Sequence, residues 1–117
     1  VVLSFPNTSY LTRLQPAGGV EALSDRVGKT VIGRITAKAR RVDKVGAGGR
    51  YIEPVAGRPR RVQGSVIATD PGKNTITVSA GAPITCQLTD KRQKAADFEA
   101  GDFVSFDVER GAGFTLE

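Results

Sequence analysis

Apolar and polar residues alternate with period two along much of this chain, which is the signature of β-strands with one buried face. In 31–42 the odd positions are Val31, Gly33, Ile35, Ala37, Ala39 and Arg41. The even positions are Ile32, Arg34, Thr36, Lys38, Arg40 and Val42, so one face is small and apolar and the other basic. Val62, Gly64, Val66 and Ala68 alternate with Gln63, Ser65, Ile67 and Thr69. Asp70-Pro71-Gly72-Lys73-Asn74 then predicts a turn, because Pro presets φ and Gly or Asn tolerates positive φ. Ile76, Val78 and Ala80 alternate with Thr75, Thr77 and Ser79 and complete a hairpin. Ile84, Cys86 and Leu88 predict a third strand, and Val104, Phe106 and Val108 a fourth. Phe114-Thr115-Leu116 reads as a short fifth.

Other segments carry different signals. Residues 91–96, Lys-Arg-Gln-Lys-Ala-Ala, favour helix, so 90–98 reads as a short helix closed near Gly101. Arg50–Val55 reads as the second arm of a ribbon with 31–42, ending at Pro54, which has no N–H to offer a ladder. Residues 1–28 lack a clean period. Val20, Leu23 and Val27 suggest a turn or two of helix, and the whole stretch reads as an N-terminal arm against the domain or a neighbouring subunit. The organisation expected is therefore an arm over 1–28 and one β-domain over 29–117, split into a basic ribbon (29–61) and a barrel core (62–117).

Three strands, a short helix and two strands over 62–117 resemble an OB-fold. So does Phe98-Glu99-Ala100-Gly101-Asp102-Phe103-Val104, which is similar to the Phe-x-x-Gly-Asp-x-Val entry to a late strand of small β-barrels. The resemblance covers roughly half of the chain and implies an all-β, OB-like small barrel with one short helix, an N-terminal arm and a basic β-ribbon extension. Many OB-folds bind oligonucleotides or oligosaccharides, although a fold does not fix a function.

Charge changes the picture most. Residues 29–61 hold ten Lys and Arg against two acids, a balance of +8, whereas 62–117 hold five against eight, a balance of −3. Such a concentrated positive field draws polyanions. The candidate nucleic-acid-binding residues are Arg34, Lys38, Arg40, Arg41, Arg50, Arg58, Arg60 and Arg61, with Tyr51 as a stacking residue. Arginine suits phosphate because its fork binds bidentately. Only one aromatic lies inside the basic segment, so binding of this kind is mainly electrostatic and steeply salt-dependent. Two bland readings compete: exposed cations that protect a strand edge from aggregation, and a face that meets the acidic half of another copy.

Catalytic chemistry finds little support. With no His there is no imidazole base, no Ser-His-Asp triad and no His metal ligand. The lone Cys86 alternates in phase with Ile84 and Leu88, which predicts a core thiol. One cysteine also forms no internal disulfide and slightly favours a reducing, cytoplasmic compartment. Asp107 and Glu109 share a strand face, but they read as solvent-facing residues rather than a general acid and base. Gly46-Ala47-Gly48-Gly49 is followed by strand-like residues, where a phosphate loop needs a helix N-terminus. No apolar stretch reaches membrane-spanning length, and Val1–Phe5 is too short for a signal-peptide core. The sequence thus implies no catalytic site, cofactor, metal or membrane. It leaves two functions open: a polyanion-binding module, or an assembly protein that uses arm and ribbon to build a homo-oligomer, with Leu3, Phe5, Tyr10 and Leu11 buried between chains.

Overall fold

The computed structural model describes residues 2–5, 11–16, 33–46, 48–54 and 56–116. Its eleven strands are β1 (Val2–Ser4), β2 (Leu11–Arg13), β3 (Gln15–Pro16), β4 (Gly33–Lys44), β5 (Tyr51–Glu53), β6 (Ala56–Gly57), β7 (Arg61–Asp70), β8 (Thr75–Ser79), β9 (Pro83–Leu88), β10 (Phe103–Val108) and β11 (Gly113–Leu116). A single 3-10 turn, Ala95–Asp97, separates β9 from β10.

Five of these strands close a barrel, so the chain is an all-β small barrel. β7, β8 and β9 form an antiparallel meander, and β10 pairs antiparallel with β7. β4 closes the ring: it runs parallel to β9 along Thr36–Ala39 and antiparallel to β10 along Ala39–Lys44. β11 pairs with the Gly33–Thr36 end of β4 and carries β3 on its far side. β1, β2 and β6 form a separate three-stranded sheet.

The interior is filled by the apolar phase of each strand. Ile35, Ala37, Ala39, Val42, Val62, Val66, Ile76, Val78, Ile84, Cys86, Leu88, Val104 and Phe106 all belong to one buried cluster. A barrel of so few strands has no room for a lumen, and side chains pack its axis. Phe98 and Phe114 are buried as well, and Leu3 and Phe5 pack against the same cluster, half-buried. At Gly64 a Cβ would strike the Ser79 backbone carbonyl, so β7 and β8 keep their spacing only because this position has no side chain. In the β7–β8 turn, Asn74 takes the positive φ (56°).

Three expectations are corrected. First, the ribbon expected between 31–42 and 50–55 does not form among the described residues: β4 is a stave of the barrel, and β5 pairs with β7 through Tyr51–Gln63, Ile52–Val62 and Glu53–Arg61. Burial of Ile52 against the core decides this, since Ile52 is 2% exposed. Second, the alternation in β4 changes phase. Arg41 is exposed and Val42 buried, because a bulge sets Val42 opposite Phe106 but Ala39 opposite Val108. Third, the helix over 90–98 shrinks to the 3-10 turn. Asp90 and Gln93 turn their side chains onto the Arg92 and Val42 backbone groups instead, which competes with a longer helix, whereas Asp97 accepts from the Lys94 N–H and caps the short turn. The helical turn expected at Val20, Leu23 and Val27 lies outside the described residues, as does Tyr10, and the side chain of Leu11 is not among those described.

Candidate functional site

The cations of the basic segment fall into two groups according to what their side chains meet. In β4, inward Ile35, Ala37 and Ala39 force Arg34, Lys38 and Arg40 outward, all exposed. Alternate residues of a strand lie roughly 6.8 Å apart, so the three guanidinium and ammonium groups form a row along one stave. None of them makes an ion pair among the described residues, and the same holds for Arg58 and Arg60 at the entry to β7.

These two sets lie close together. Ala39 is opposite Val108, and the Val108 N–H donates to the Arg60 carbonyl at 2.8 Å. The Glu109 N–H donates to the Lys38 carbonyl at 2.9 Å. The end of β10 therefore bridges the middle of β4 and the start of β7, which are two strand spacings, roughly 10 Å, apart. The backbones that carry Lys38 and Arg60 are therefore neighbours across this strand end.

The remaining candidates are occupied. Arg61 donates to Asp107 and to the Ser105 hydroxyl, each at 2.8 Å. Its pKa is raised by the Asp107 hydrogen bond first and by Tyr51 after it. Arg41 pairs with Asp43 at 3.1 Å. Lys44 reaches Asp102 at 3.4 Å and stands 5.6 Å from the centre of the Phe98 ring. The Glu99 amide, and then Lys44, hold the Asp102 carboxyl below its ordinary value. Arg50 donates to the Ser65 hydroxyl at 3.1 Å. Tyr51 is half-buried and donates its hydroxyl to Gln63 at 3.2 Å, while Gln63 donates to the Gly49 carbonyl at 2.9 Å. Tyr51 is thus built into the outer face of β7.

The groups considered for catalysis are placed as follows. Cys86 is 0% exposed, and burial pushes its thiol far above the usual range. Asp107 is held by Arg61, and Glu109 is half-buried just past the end of β10. The described part of the loop before β5 runs into a strand, with no helix behind it. Among the described residues no group of three or more His, Cys, Asp or Glu side chains is arranged to hold a metal ion.

Sequence reasoning missed Arg110. It stands just beyond β10, and its charge acts on Arg58, which stands just before β7. No local pattern marks it; the β7–β10 pairing register is the only signal that would have. Compared with protein-family models, curated proteins and solved structures, the chain matches none.

Proposed function

We propose that this protein is a non-enzymatic binding module that contacts nucleic acid or a comparable polyanion through Arg34, Lys38, Arg40, Arg58 and Arg60. One observation carries this reading: among the described residues these five cations, on β4 and at the entry to β7, have no acidic partner, whereas Arg41, Lys44 and Arg61 are paired with acids. An unpaired surface cation keeps its full field for a ligand, while an ion-paired one must first break its pair. The barrel holds the strands that carry Arg34, Lys38 and Arg40, so no folding cost falls on binding. An OB-like arrangement of the barrel agrees with this use. Arg41, Arg50, Tyr51 and Arg61 stand outside the proposed contact, because each already has a partner within the chain.

Self-association through the arm is the second reading. Val2, 52% exposed, favours it, but the half-burial of Leu3 and Phe5 against the chain's own core leaves less apolar surface to share. Fluorescence anisotropy with labelled single- and double-stranded oligonucleotides, run across a salt series, tests the first reading. It predicts binding whose logarithm falls linearly with the logarithm of salt. No binding at low salt would remove it.

A further inference from the structure

Asp107 and Arg61 are the last formal pair between β10 and β7, but the register continues past them. Val108 meets Arg60 through the 2.8 Å backbone bond, and two residues further along each segment, past the end of β10 and before the start of β7, come Arg110 and Arg58. Pro59, fully buried between Arg58 and Arg60, fixes the chain there and leaves Arg58 half-buried and Arg60 exposed. Like charges brought together in this way repel. Among the described residues no acid pairs with them. Glu53 offers its carbonyl to the Arg60 N–H at 2.7 Å, yet neither its carboxylate nor that of Glu109 forms an ion pair with any of the three arginines. Partial burial, and then Arg110 and Arg60, hold the Arg58 guanidinium below its ordinary pKa.

We infer that Arg58, Arg60 and Arg110 form an anion site that takes a phosphate group, held between the segment that leaves β10 and the segment that enters β7. The site supplies what the three crowded guanidiniums lack, a shared counter-charge, and their planar forks match phosphate oxygens in pairs. Its use as the seat of a backbone phosphate rests on the polyanion reading; its affinity for phosphate does not.

The probe is inorganic pyrophosphate, titrated into the full chain by calorimetry at low salt, with sodium chloride of matched ionic strength as the reference. Wild type is expected to bind it, and Arg58→Ala and Arg110→Ala to weaken it roughly tenfold or more, as loss of a charge-assisted hydrogen bond requires. Arg58→Lys, which keeps the charge and loses the fork, should also weaken it. Lys73→Ala, in the β7–β8 turn, should not. No pyrophosphate binding by wild type, or equal binding by Arg58→Ala and Arg110→Ala, overturns the site. Oligonucleotide binding is scored separately. Pyrophosphate binding that depends on Arg110 in a protein that ignores oligonucleotides keeps the site and removes the module. Oligonucleotide and pyrophosphate binding that Arg110→Ala leaves unchanged removes the site and keeps the module.

Discussion

Arg61 and Asp107 stand opposite each other on β7 and β10, and their side chains meet at 2.8 Å while Arg61 also holds the Ser105 hydroxyl. One residue earlier, Arg60 has no acidic partner among the described residues. Adjacent arginines of the same basic run therefore differ in what they can offer a ligand. Both members of the Arg61–Asp107 pair are more than 40% exposed, so water screens it. Arg61→Ala should cost about 1 kcal/mol or less in a denaturation series and leave polyanion affinity unchanged. A large affinity loss in Arg61→Ala would show that paired cations also bind.

Gln93 behaves as a missing strand residue. Its amide accepts from the Val42 N–H at 2.8 Å and donates to the Val42 carbonyl at 2.6 Å, where β9 has already ended at Leu88. Gln93→Ala leaves both backbone groups of a buried residue without these bonds, and should cost roughly 1–3 kcal/mol. Gln93→Glu keeps an acceptor but sets a carboxylate against the Val42 carbonyl, so it should not rescue. Chemical denaturation of the two variants checks this; a change under a few tenths of a kcal/mol in Gln93→Ala would mean that water replaces the amide.

Asp90 gives the fold a dependence on acid. The Arg92 side chain, and after it the Arg92 backbone N–H, lower the Asp90 pKa from 3.8 to about 2. A depressed folded pKa contributes stability above the unfolded value, and that contribution is lost as pH falls through the folded one. Asp90→Asn should therefore be less stable than wild type at pH 6, and the gap should narrow between pH 4 and pH 2. Urea midpoints at those values test it, and a gap that stays constant with pH would assign the difference to geometry rather than charge.

The strands were legible because each buries one face, and period two survives in 62–66, 76–80 and 84–88 whatever their partners. Partners were less legible. Tyr51-Ile52-Glu53 offers one apolar residue to whichever strand lies beside it, and the core under Ile52 chooses β7. The bulge in β4 left a trace that simple alternation misreads: Arg40 and Arg41 are adjacent and both exposed, and Val42 restarts the inward phase. Helix propensity over 91–96 lost to the side-chain bonds of Asp90 and Gln93. At the candidate site, the sequence displays every cation of the basic segment but not its partner. Asp107 and Asp102 reach Arg61 and Lys44 across 46 and 58 residues of chain (107 − 61 and 102 − 44), so only the folded barrel separates occupied cations from available ones.

The central claim is that the unpaired cations, not the paired ones, hold the polyanion. The most direct test compares the salt dependence of single-stranded oligonucleotide binding by Arg40→Ala/Arg60→Ala with that by Arg41→Ala/Arg61→Ala. Each lost phosphate contact should flatten the log–log salt slope by roughly 0.7 on a single strand. The account predicts a weaker, flatter line for Arg40→Ala/Arg60→Ala and a wild-type line for Arg41→Ala/Arg61→Ala. Equal losses in both, or no change in the first, would contradict it.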